Sequence, residues 1–82
     1  MRIDEWADRT LLFVCGYVSE NGWAPSYREI SVGTGHKSLS GVRDVLARLE
    51  GLGLVRLGKG PRTICVTGEG WEHADHVAAS GS

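Results

Sequence analysis

The sequence predicts a mainly helical α+β domain: three helices, a two-stranded β-hairpin and a short helix at the end. Three observations predict it. Two serine-capped segments with helical apolar spacing lie side by side within residues 26–53, and a strongly apolar run at residues 11–18 precedes them. After Gly53 the pattern changes from helical to alternating, in two short runs joined by glycine and proline. With 82 residues, the chain is long enough for one compact core and one domain.

Residues 1–9 are polar apart from Met1, Ile3, Trp6 and Ala7, and read as an N-terminal arm or a short helical lead-in. Thr10 is the expected N-cap of the first helix, in which Leu11, Val14, Cys15 and Val18 share a face. Glu20, Asn21 and Gly22 supply a polar stop, with glycine where a helix C-terminus favours it. Pro25 keeps Ala24 out of helical geometry, so residues 23–25 should be an extended crossing.

Ser26 with Glu29 three residues later spells a capping box, in which each side chain satisfies a backbone N–H that the helix start leaves unpaired. The helix it opens should last about two turns, because Gly33 and Gly35 flank Thr34 and give the chain freedom to reverse. Ser38 or Ser40 offers the next N-cap. Val42, Val45, Leu46, Leu49 and Leu52 then form an apolar stripe, and Gly53 closes the helix. The opposite face carries Ser40, Arg43, Asp44, Ala47, Arg48 and Glu50. Two short capped helices around a glycine turn are a helix-turn-helix, the unit that lays its second helix in a DNA major groove.

Residues 54–57 and 63–66 are the two strand candidates, joined by Gly58, Lys59, Gly60, Pro61 and Arg62. A hairpin in that place is the wing of a winged helix-turn-helix, here with a basic tip suited to phosphates. Thr67 is the expected cap of a short last helix containing Trp71 and Ala74, and residues 79–82 should be disordered. The domain reading is therefore an arm at 1–9, a winged helix at 10–67 and a helix with a tail at 68–82.

Net charge is −1, but it is unevenly spread. Residues 1–27 set Arg2 and Arg9 against Asp4, Glu5, Asp8 and Glu20, leaving −2. Residues 63–82 carry Glu69, Glu72 and Asp75, leaving −3. Residues 28–62 set Arg28, Lys37, Arg43, Arg48, Arg56, Lys59 and Arg62 against Glu29, Asp44 and Glu50, leaving +4. A local basic face of this kind is the footprint of a phosphate-binding surface.

No apolar run reaches the roughly 20 residues needed to span a bilayer, and the acidic start lacks the basic and apolar segments of a secretory signal. A soluble, cytoplasmic protein is expected. Cys15 and Cys65 both sit in apolar patterns and read as core thiols rather than as a disulfide. No catalytic or metal site emerges: His73 and His76 lack a completing cluster and read as surface residues of the tail. Glu72 and Asp75 read as a solvated face, and Gly58–Lys59–Gly60 lacks the rest of a phosphate-binding loop. Neither cofactor nor small-molecule ligand is implied.

Residues 11–67 resemble the N-terminal DNA-binding domain of the LexA repressor family, a winged helix-turn-helix. The resemblance rests on Gly22 and Pro25 before the first motif helix, the triplet Arg28, Glu29, Ile30, the turn Gly35, His36, Lys37, Ser38, then Leu46, and residues 49–55 leading into the wing. In that family the residues from the turn serine through two turns of the recognition helix face the bases. Carried over by position, these are Ser38, Ser40, Gly41, Arg43 and Asp44.

The family has an asparagine, an alanine and two glutamates where this chain has Ser40, Gly41, Arg43 and Asp44, so a different operator is expected. Arginine pairs bidentately with guanine, which makes Arg43 the expected reader of a G. Arg28, Lys37, Arg48, Lys59 and Arg62 are the expected phosphate contacts. The self-cleaving domain of the family has no counterpart in these 82 residues, so the expectation is a stand-alone regulator, a small repressor of phage or bacterial type. A homodimer suits such a protein, because one helix-turn-helix covers one half-site.

Three tryptophans remain. Trp23 is expected to pin the first helix to the second, and Trp6 and Trp71 to form an apolar patch for a second subunit in preference to packing on each other. The rival function is a winged helix that binds a protein, such as a host regulator or polymerase subunit, through its acidic ends.

Overall fold

The computed structural model describes residues 5–60 and 62–81. In chain order it contains α1 (Glu5–Asn21), α2 (Tyr27–Thr34), α3 (Leu39–Gly51), β1 (Val55–Arg56), β2 (Cys65–Val66) and α4 (Gly68–Gly81). The mainly helical α+β architecture and the winged helix-turn-helix are as the sequence predicts. The helices α1, α2 and α3 pack on one another, and α4 covers α1 and β2. β1 and β2 pair antiparallel, Val55 opposite Val66 and Arg56 opposite Cys65.

The core is built from one face of each element: Leu11 and Val14 of α1, Ile30 of α2, Val42, Leu46 and Leu49 of α3, and Val55 of β1 are all buried. Each such side chain contributes about 1.5–3 kcal/mol through removal from water.

The helix ends obey the local code. Ser26 Oγ accepts the Glu29 N–H at 3.2 Å while Glu29 Oε1 accepts the Ser26 N–H at 2.8 Å, a complete capping box. Of the two candidate serines Ser38 is the cap of α3, accepting the Gly41 N–H at 3.3 Å. At the other end of α3, Leu54 N donates to Leu49 O and Gly53 N to Glu50 O, both at 3.0 Å, with Gly53 at φ +79°. This pair of bonds is the Schellman arrangement.

Several expectations are corrected. The first helix starts at Glu5, not after Thr10, so residues 5–9 are the helical lead-in, continuous with α1, and not an arm; residues 1–4 lie outside the described part. Glu5 and Asp8 favour a helix N-terminus, and Glu5 pairs with Arg9 one turn on at 3.2 Å. Thr10 is no cap: it is buried within α1 and shares a 3.2 Å hydrogen bond with His36 Nε2. Only Gly35, at φ +83°, makes the reversal after α2. Gly33 is still helical, and its missing Cβ makes room for the Phe13 ring.

Leu52 ends its stripe in solvent, and Cys65 is exposed because the alternation of β2 turns it outward. Both cysteines are free thiols, and burial, followed by the Asp75 charge, pushes the Cys15 thiol up to about 11. Trp23 is 54% exposed and lies outside the core cluster that joins α1 to α2. Trp71 packs partly buried against the core, while Trp6, still partly exposed, lies over His36. The last helix is a full 14 residues and runs to Gly81, so the expected disorder from residue 79 is corrected. His73 is no surface residue: its Nε2 is 3.1 Å from the buried Asp8 carboxylate, joining α4 to α1. His76 is exposed, as expected. Pro61 and Ser82 lie outside the described residues.

Candidate nucleic-acid interface

The apolar stripe of α3 faces the core, and this fixes what the rest of the helix presents. Ser40, Arg43, Asp44, Ala47 and Arg48 are all exposed on the outer face of α3. Two grooves run along its flanks. One, of about 560 Å³, is bounded by Ser26 and Tyr27 from the start of α2, Leu39 and Arg43 of α3, and Leu57, Gly58 and Gly60 of the wing. The other, of about 430 Å³, lies between α1 and α3, lined by Glu5, Trp6, His36, Gly41, Asp44, Val45 and Arg48. Arg43 therefore looks toward the wing, and Asp44 with Arg48 toward the start of α1.

Of the five expected base-reading residues, Ser38, Ser40, Arg43 and Asp44 are exposed, while Gly41 is half-buried beneath His36. Ser38 spends its hydroxyl oxygen as the cap of α3, which also leaves a helix N-terminus with partial positive charge at this surface. Arg28, Lys37, Arg48 and Lys59 are exposed on α2, the turn, α3 and the wing, and Arg48 lines the groove toward α1.

Arg62 differs from the others. Its Nη1 donates to Glu29 Oε1 at 2.9 Å, to the Ala24 carbonyl at 3.1 Å and to Tyr17 Oη at 3.2 Å. Tyr17 in turn donates to Glu29 Oε2 at 3.0 Å. Glu29 thus caps α2, holds Tyr17 of α1 and grips the wing. The backbone hydrogen bond from Ser26, followed by the Arg62 guanidinium and the Tyr17 hydroxyl, holds its carboxyl down to about 2 from 4.5.

A carboxyl depressed in the folded state stabilises the fold above its unfolded value and ceases to do so as pH falls through the folded one. Thermal unfolding followed by circular dichroism should therefore show wild type melting above Glu29→Gln at pH 6. The gap should close between about pH 4.5 and pH 2. The group is partly exposed, so solvent screening keeps the effect modest.

The sequence reading missed a second cluster. His36, in the turn between α2 and α3, stacks on Trp6 with ring centroids 4.5 Å apart and accepts a 3.0 Å bond at its carbonyl from the Ser31 hydroxyl. Arg9 lies over the Trp6 ring, its Cζ 4.9 Å from the ring centroid. The start of α1 therefore buttresses the turn that aims α3. The one linear hint was an aromatic residue in the turn itself, between Gly35 and Lys37. Among the described residues, no group of three or more histidines, cysteines and carboxylates is arranged to hold a metal. Among them too, no helix is long and apolar enough to cross a membrane.

No curated protein matches the chain. The family model described as the LexA DNA binding domain matches residues 7–63, from the first turn of α1 to the wing.

Proposed function

The chain belongs to the LexA DNA-binding domain family, and we propose from this that it is a sequence-specific regulator of transcription, a small repressor of bacterial or phage type. It acts on double-stranded DNA by occupying its site and not by chemistry. The observation that carries the reading is the outer face of α3, on which Ser40, Arg43 and Asp44 stand exposed with Arg43 bordering the groove shared with the wing, within a segment of charge +4 in a chain of net −1.

In this reading α3 enters the major groove. Arg43, Ser40 and Asp44 meet base edges, Ser38 and Gly41 bring the helix N-terminus close, and Arg28, Lys37, Arg48 and Lys59 hold phosphates. The residues at the reading positions differ from those of the family, so the operator is a different word, with guanine opposite Arg43. Two copies on a palindrome would supply the affinity that one half-site lacks, and the protein would work in the cytoplasm, on the chromosome or a phage genome.

Selection from randomised duplex DNA at two salt concentrations tests the proposal. An enriched sequence whose affinity falls steeply with salt is expected. Absence of both enrichment and salt dependence refutes it and leaves the protein-binding winged helix as the reading. Lys59→Ala separates phosphate from base contacts: it should weaken all duplexes alike and flatten the salt dependence by about one phosphate contact.

A further inference from the structure

Beyond the buried side chains of Val55 and Ile64, the wing has little to hold it in place. Its ladder is two residues on each strand, Val55 opposite Val66 and Arg56 opposite Cys65, and a hairpin that short is marginal by itself. Glu50 helps at the near end, its carboxylate accepting the Leu57 N–H at 2.9 Å. At the far end the chain returns through Arg62, which stands at φ +58°, a left-handed conformation that costs a non-glycine residue energy unless its surroundings demand it. What demands it is the side chain, drawn inward to Glu29, Tyr17 and the Ala24 carbonyl.

We infer that Arg62 is a positioning residue for DNA recognition: through Glu29 and Tyr17 it fixes the wing against the corner of α1 and α2, and so sets the width of the groove between the wing and Arg43. This rests on the DNA-binding reading and removes Arg62 from the phosphate contacts that its sequence position suggests. Glu29 is the joint of the device. It caps α2 through Ser26 and takes Arg62 on the same oxygen, so the start of α2 and the return of the wing share one anchor. Ser26, Tyr27, Gly58 and Gly60 are the opposite banks of the groove that this anchor spans. A wing released from it must be ordered again at the moment of binding, at an entropic cost that lowers affinity.

Charge-conserving replacement distinguishes positioning from phosphate contact. Arg62→Lys keeps the positive charge but replaces the planar, weakly hydrated guanidinium with a strongly hydrated ammonium on a flexible stem, a poorer fit to the site where Nη1 meets Glu29, Tyr17 and the Ala24 carbonyl. It should weaken the duplex selected by wild type about tenfold with an unchanged salt slope. Glu29→Gln removes a negative charge near DNA, which electrostatics alone would reward, yet it should weaken binding as well. The double variant should lose no more than either single one, as expected for residues that act as a unit. Tyr17→Phe, which deletes one hydroxyl and leaves the α2 cap intact, should weaken binding less but in the same direction.

In the free protein, amide relaxation of Gly58, Lys59 and Gly60 should show greater wing motion in Arg62→Lys than in wild type. Wild-type affinity in Arg62→Lys, or stronger binding by Glu29→Gln together with a flatter salt slope in Arg62→Ala, overturns the inference in favour of a phosphate contact. If wild type selects no duplex, the DNA reading itself has failed and the relaxation measurement alone decides the clamp: an unchanged wing in Arg62→Lys refutes it.

Discussion

Replacing Arg43 with alanine should weaken the selected duplex by about 1–3 kcal/mol, roughly 5- to 150-fold, while affinity for random duplex falls only slightly. The asymmetry is the content of the prediction. Arg43 is exposed near the start of α3 and borders the groove shared with the wing. Its guanidinium has the planar fork that meets guanine O6 and N7 together. Loss of a base contact removes discrimination at one base pair, whereas loss of a phosphate contact weakens every duplex alike. Repeating the selection with Arg43→Ala should relax the preference at that one position and leave the others intact. Arg43→Lys should fall between, keeping a charge without the fork. Folding stability should stay within about 0.5 kcal/mol, as for exposed positions in general, so circular dichroism separates lost recognition from lost structure. Equal losses on specific and random duplex would reassign Arg43 to the backbone.

The parts of the fold legible in the sequence are those whose causes are local. The Ser26 and Glu29 capping box, the Thr67 cap and the left-handed Gly53 are each settled within a few residues and are found where the sequence puts them, and of the two serines it offers for α3 the structure takes Ser38. The apolar stripe of α3 is equally local, since the spacing of Val42, Val45, Leu46 and Leu49 dictates which face is left for a partner. The clustering of positive charge within residues 28–62 needs no structure at all.

What escaped is what depends on partners distant in the chain. Thr10 looks like a cap because a hydroxyl before an apolar run usually is one, yet His36, 26 residues on, takes that hydroxyl instead. His73 looks like a tail residue because the buried carboxylate that receives it, Asp8, is 65 positions away. Arg62 looks like a phosphate ligand because wings commonly carry them, and nothing near it in sequence says that Tyr17 and Glu29 converge on it. Trp23 failed in the opposite sense: an aromatic residue beside the helix-turn-helix suggests packing, but Ala24 and Pro25 are buried there and leave the indole outside.

Gly70→Ala should be the most damaging small substitution, costing about 3 kcal/mol and lowering the melting temperature by roughly 12–24 °C. Helix propensity alone predicts the reverse, since alanine in place of glycine favours a helix by about 1 kcal/mol. The contact decides the sign. A Cβ on Gly70 would overlap the carbonyl oxygen of Leu54 and lie 2.8 Å from Val66 Cγ1. Leu54 cannot retreat. Its N–H completes the end of α3 through Leu49 O at 3.0 Å, and its carbonyl accepts both the Thr67 N–H and the Thr67 hydroxyl at 3.1 Å. Nor does α4 lift freely, because Gly70 N is the donor that the Thr67 cap holds at 3.0 Å, and Ala74 and Val77 on the same helix are buried. Moving either side breaks the junction between the end of α3 and the start of α4. Gly68→Ala is the matched control: it lies two residues earlier in the same helix with nothing within 4 Å of the added carbon, so propensity should prevail and stability stay level or rise. Thermal melts of the two variants side by side measure packing against propensity within one turn of helix. Indistinguishable melting temperatures would mean that α4 is not held against Leu54 as tightly as the geometry requires.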